Sequence, residues 1–197
     1  DEYFGKRTSA SAIKTALRCP LDFYYKYLLG FGEEDKVEEE IEASTFGNFI
    51  HNTLETLYDD FAQLDKEGNK RDAHKSLSTV DIDEMIKKQG EVMKKHFYTF
   101  FNYESNQSLE GKNYLSLEVA QHLTDRFLKK ERQSLKDHDG HLFIVSLEME
   151  LTKSLTLNIH GEDKTVNFIG FIDRIDEFEG KKRIIDYKSG KCSEKDV

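Results

Sequence analysis

Two apolar, β-branched runs near the end of the chain carry charges that a strand pair does not accept without a reason. Gly170-Phe171-Ile172-Asp173-Arg174-Ile175-Asp176 is followed, across Glu179-Gly180, by Ile184-Ile185-Asp186-Tyr187-Lys188-Ser189-Gly190. Such runs around a short polar pair containing Gly predict a β-hairpin. With Glu179 and Gly180 as a two-residue turn, Asp173 lies directly opposite Asp186, and Asp176 opposite Arg183. Lys188 follows Asp186 by two and shares its face of the sheet. Like charges directly opposite one another destabilise a pair of strands. Two facing carboxylates with an ammonium beside them are most simply explained by a divalent cation. The plain alternative is two exposed acids on a hairpin of different register, because a one-residue slip moves them to opposite faces.

The rest of the chain reads as helices first and strands second. Ser9 or Ser11 is placed to cap a helix running to Leu29, interrupted at Pro20 and stopped by Gly30. A second helix is predicted from Ser44 past Phe61, a third from Asp81 or Asp83 to Phe101, and a fourth over Tyr114–Leu135. Alternation over Leu142–Leu151, then Leu155–Ile159, Val166–Phe178 and Arg183–Lys188, predicts strands. Residues 1–137 are therefore expected to be mainly helical and 138–197 β-rich, within one domain. The fold class is α/β in the α+β sense, with a mostly antiparallel sheet.

Composition bounds what such a domain does. At 37% hydrophobic and 34% charged, the 197 residues are globular with a heavily charged surface. A net charge of −9 argues against binding nucleic acid over the whole surface. It leaves room for a local basic region, since Lys181, Lys182, Arg183, Lys188 and Lys191 gather around the hairpin. No apolar run approaches the about 20 residues that span a bilayer, and there is no basic-then-apolar leader. Cys19 and Cys192 are too few for a disulfide framework, which suits a reducing, cytoplasmic setting. Asp1 in place of Met, and an end at Val197 just past the richest motif, read as a piece of a longer protein.

Asp173, Asp186 and Lys188 fit metal-dependent hydrolysis of a phosphodiester. That reaction needs an activated water, neutralised phosphate charge and help for the leaving oxygen. Mg²⁺ or Mn²⁺ supplies these and prefers carboxylate and carbonyl oxygens, so the Tyr187 carbonyl is a further candidate ligand. Lys188 is suited to orient the water or stabilise the pentavalent oxyanion. His51, in Gly47-Asn48-Phe49-Ile50-His51, is the candidate ligand from elsewhere in the chain. Gly47 lies one turn before it on the same helix face and allows a close approach. A lone helix histidine is otherwise usually a packing residue.

These motifs, in this order, resemble the RecB-like branch of the PD-(D/E)XK nucleases, in particular the nuclease domains of AddB-type helicase–nucleases. Ser9-Ala10-Ser11-Ala12-Ile13 with Cys19-Pro20-Leu21-Asp22-Phe23-Tyr24 is similar to the family's first helix. Gly47 to His51 matches Gly-x-x-x-His, Gly170 to Asp176 matches Gly-x-x-Asp-Arg-x-Asp, and Asp186 to Gly190 matches Asp-Tyr-Lys-Thr/Ser-Gly. The Pro of the family's formal name is Ile172 here. The resemblance implies a restriction-endonuclease-like core and a metal site of His51, Asp173, Asp186 and the Tyr187 carbonyl, with Asp173, Asp186 and Lys188 catalytic. It also implies DNA as substrate, exonuclease action and a helicase or motor partner in double-strand-break repair. The family's C-terminal helix with Gln-x-x-x-Tyr has no counterpart before Val197.

Some members hold an iron–sulfur cluster through four cysteines. Cys19 takes the first position, and Cys192 does not supply the remaining three, so no cluster is expected in this stretch. Cys19 is expected to be a small buried hydrophobe. Arg174 is expected to be a structural ion-pair partner, and Asp176 with Arg183 a cross-strand salt bridge. Phe23, Tyr24, Tyr25 and Tyr27 are expected in the core, with base stacking as the alternative. Glu33–Glu42 reads as a solvated acidic segment. The reading from a different class is a non-catalytic nucleic-acid-binding or scaffold domain that keeps the nuclease fold.

Overall fold

A computed structural model describes residues 7–31, 41–72, 75–104, 109–138 and 141–190. The acidic segment lies mostly outside these residues, as do Lys191 and Cys192. The chain divides into two compact units, one of residues 1–37 and 150–171, the other of 38–149 and 172–197.

In the first unit a short strand β1 (Arg7–Ser9) pairs in parallel with residues 167–169 of β3 (Glu162–Phe178). Three residues are too few for a periodic signal, and sequence reading misses this strand. Helix α1 (Ala10–Arg18) follows, with the Ser9 side chain accepting the Ala12 N–H as its cap. Pro20 occupies the first position of α2 (Pro20–Phe23), where its missing N–H costs nothing. A π-helical turn (Tyr24–Leu28) ends the segment. The aromatic residues here are not core. Tyr24 and Tyr25 are each 46% exposed and Leu17 is 84% exposed. Cys19, at the break between the helices, is only partly buried. These apolar residues have helical spacing, but among the described residues of the unit no layer covers that face.

The second unit contains the main core. Helix α3 (Ala43–Tyr58) runs into a 3₁₀ turn (Asp59–Phe61). Helix α4 (Thr79–Phe100) begins earlier than Asp81, because Ser78 and Asp81 form a capping box. Helix α5 spans Gly111–His138. Phe49, Leu54, Tyr58, Ile82, Met93, Phe97, Leu117 and Leu128 bury their side chains together with Leu142 and Ile144 of β2 (Leu142–Ile159).

The sheet is mixed, in the order β1–β3–β2, with β4 (Lys181–Ile185) also paired to β3. Strand β2 runs unbroken through residues 152–154, where the sequence predicts a gap between two strands. The β3–β4 turn has positive φ at both Glu179 (53°) and Gly180 (74°), the form whose twist suits a two-residue hairpin. The register follows from that turn: Arg174 faces Ile185 and Asp176 faces Arg183. The ladder stops there. Strand β4 ends at Ile185 and not at Lys188, so Asp186 lies just past the pairing that was to set it opposite Asp173. No helix among the described residues is long and apolar enough to cross a membrane.

Candidate metal centre

Three elements of the second unit deliver one polar side chain each to a common point. Ligand atoms of His51 on α3, Glu148 on β2 and Asp173 on β3 all lie within 4.8 Å of one another. Helix α3 comes close because of Gly47: a Cβ there would stand 3.3 Å from the Ser189 Oγ. Its next turn then carries His51 to the segment after β4. The ring Nε2 is 2.8 Å from the Tyr187 carbonyl oxygen. A carbonyl only accepts, so Nε2 carries the proton and donates. Nδ1 is left with its lone pair, 3.5 Å from Asp173 Oδ2.

Glu148 enters at a local distortion within β2. Its φ is +47°, a left-handed conformation that is uncommon for a residue with a side chain. The alternation of β2 fails at this point, and Ser146 and Leu147 are both buried. Strict alternation would place Glu148 among the polar neighbours of a plain strand, which is why sequence reading passes over it. The available signal is an acid inside the apolar run Ile144-Val145-Ser146-Leu147-Glu148-Met149.

Asp173 is held from the other side: its Oδ2 accepts the Tyr187 N–H at 2.5 Å. Burial raises its pKa and the Asp186 charge adds to this, against the pull of that N–H and of the Lys188 charge. Burial likewise raises the pKa of Glu148, helped by the charges of Asp173 and Glu55. Both carboxyls thus lose solvation without full compensation from protein partners, as expected where a cation is the missing one.

The remaining candidates stand beside this group. Asp186 does not join it; its carboxylate is 58% exposed and pairs with Lys188 Nζ at 2.6 Å. The chain leaves the ladder after Ile185, so the facing aspartates of the ideal hairpin become one inward carboxylate and one outward. Lys188 keeps to the side of Asp186, as the spacing predicts. The Tyr187 carbonyl accepts the hydrogen bond from the His51 ring. A cavity of about 400 Å³, lined by Ile50, Leu54, Leu123, Phe127, Asp186 and Lys188 among others, opens next to the pair. Arg174 faces away from Asp173 and is buried between Glu131 and Asp176. Asp176 also binds Arg183 through both carboxylate oxygens.

Two carboxylates and an imidazole fit a divalent cation of the Mg²⁺ or Mn²⁺ type, the imidazole favouring Mn²⁺. His51, Glu148 and Asp173 would hold it.

The chain is similar to uncharacterized proteins of three Rickettsia species. It is 27% identical over 183 residues to one from Rickettsia felis, covering 92% of this chain and 18% of that protein. The Rickettsia bellii protein is 27% identical over 189 residues, with coverage of 95% and 19%. That from Rickettsia conorii is 26% identical over 188 residues, again with coverage of 95% and 19%. The chain thus spans less than a fifth of the length of these relatives. A family model of the PD-(D/E)XK nuclease superfamily matches residues 7–197. The mixed sheet with its helices has the restriction-endonuclease-like architecture of that group. From the parallel pairing of Arg7 to the motif around Lys188, the chain belongs to the PD-(D/E)XK nuclease superfamily.

Proposed function

We propose that this domain hydrolyses DNA phosphodiester bonds in a reaction that depends on Mg²⁺ or Mn²⁺. The observation that carries this reading is the convergence of His51, Glu148 and Asp173 within 4.8 Å, in a chain of a nuclease superfamily. A bound divalent cation would neutralise phosphate charge and lower the pKa of water. The protein's own groups do the rest. The Tyr187 backbone orients His51 through its carbonyl and Asp173 through its N–H. The Lys188 ammonium, placed by Asp186, donates hydrogen bonds to the attacking water or to the pentavalent oxyanion. Asp186 offers a further carboxylate at the edge of the group.

The motif order supports a finer version of the reading: a cytoplasmic exonuclease domain working with a helicase or motor in double-strand-break repair. A net charge of −9 suits a domain that receives DNA from a motor and need not capture it unaided. A second reading, a DNA-binding domain without catalysis, is favoured by the pairing of Asp186 with Lys188 outside the ligand group.

Digestion of linear single-stranded DNA in Mn²⁺ separates the two. The natural protein should degrade it, Lys188→Ala should be slower by about 10²–10³-fold, and Asp173→Ala and Asp186→Ala should be inactive. Equal degradation by all four proteins would overturn the assignment. DNA binding without cleavage by the natural protein would select the second reading.

A further inference from the structure

We propose that Arg174 is a positioning residue, which sets the geometry of His51 and Asp173 by holding the Tyr187 ring. Strand alternation turns Arg174 away from Asp173, and its side chain is 1% exposed. Its Nη2 lies 2.5 Å from Glu131 Oε1 on α5 and 2.9 Å from Asp176 Oδ2. The guanidinium carbon is 4.9 Å from the centroid of the Tyr58 ring, 5.8 Å from that of Phe127 and 5.9 Å from that of Tyr187. Tyr58 in turn donates its hydroxyl hydrogen to Glu131. The cation is thus fixed by two acids and presented to three rings.

Tyr187 converts this into site geometry. Its backbone lies two residues past the last ladder pair, where no strand holds it. Its hydroxyl has no hydrogen-bond partner among the described residues. The anchor is therefore the ring, packed edge-on against Phe127 at 5.4 Å and His51 at 5.5 Å with the Arg174 cation nearby. The same residue gives its N–H to Asp173 and its C=O to His51. A ring that shifts carries both peptide groups with it, and with them the His51 tautomer that leaves Nδ1 unprotonated. Apolar residues commonly replace buried ion pairs without loss of stability, so stability alone gives no reason to bury a guanidinium here.

The metal arm of this inference rests on the assignment of His51 and Asp173 as ligands; the spectroscopic arm does not. The test uses the whole chain with ¹⁵N-labelled histidine, the His51 resonances being assigned by their loss in His51→Gln. Metal-free natural protein should show the Nε2–H tautomer. Arg174→Met and Tyr187→Leu should keep a native circular dichroism spectrum, lose that tautomer to an averaged one, and bind Mn²⁺ about 10–100-fold more weakly by calorimetry. Arg174→Lys should recover part of both. Tyr187→Leu keeps the Glu131–Arg174–Asp176 pairs intact, so it carries the test should Arg174→Met fail to fold. Variants with the natural tautomer and natural Mn²⁺ affinity would overturn the proposal. A natural protein that ignores Mn²⁺, with the tautomer still lost in the variants, would sustain the positioning role and overturn the metal assignment instead.

Discussion

The surroundings of the Asp173 and Glu148 carboxyl groups disfavour their charged forms, since burial raises both pKa values. A carboxyl whose folded pKa exceeds its unfolded value adds stability while protonated. That contribution is present below the ordinary carboxylate range and is lost as pH rises through the folded pKa. Ionised and without a cation, both groups therefore cost stability at neutral pH. Asp173→Asn removes one charge and keeps an oxygen to accept the Tyr187 N–H. In metal-free buffer at pH 7 its melting temperature should equal or exceed that of the natural protein, while its Mn²⁺-induced shift disappears. The difference between the two proteins should close on acidification, as Asp173 itself takes up its proton. A substantially lower metal-free melting temperature at pH 7 would mean that the carboxylate is needed for the fold and not for a ligand. For the natural protein, Mn²⁺ affinity should fall as pH drops into the raised carboxyl range, because binding must displace those protons.

Capping and turn chemistry decide what is visible at the level of elements. Ser78 Oγ accepts the Asp81 N–H at 3.3 Å and Asp81 Oδ2 accepts the Ser78 N–H at 2.9 Å, closing the first turn of α4. Ser78→Ala should cost about 1 kcal/mol, a fall of roughly 2–4 °C in melting temperature by calorimetry. An unchanged melting temperature would show that packing of α4 against α3 and α5 suffices. The β3–β4 register is legible in sequence because turn length fixes pairing, and Asp176 with Arg183 accordingly meet as a salt bridge. The His51 helix is legible from its apolar face. Other features depend on backbone events that residue types do not announce. Asp186 lies outside the ladder because pairing ends at Ile185, and Glu148 takes a left-handed conformation within β2. The exposed aromatic stretch of Tyr24 and Tyr25 is a failure of a different kind. Helical spacing shows that an apolar face exists, but not that anything covers it.

At the scale of the whole molecule, the candidate ligands come from α3, the first half of β2 and the second half of β3, all within the unit formed by residues 38–149 and 172–197. A cation bound there ties together elements far apart in sequence and favours only conformations in which all three are in place. Binding to the folded state alone stabilises by about 2.7 kcal/mol at a concentration 100 times the dissociation constant, or roughly 5–10 °C for a unit of this size. Hydrogen exchange resolves where that stabilisation resides. Mn²⁺ should slow exchange in peptides spanning residues 43–58, 142–149 and 172–185, and leave residues 10–28 unchanged, because no candidate ligand comes from the other unit. His51→Gln should abolish the effect in all three segments together, since each feels the ion through the same shared point. Protection confined to one segment, or spread evenly over both units, would mean that the three side chains do not grip one cation and that Mn²⁺ acts elsewhere on this acidic chain.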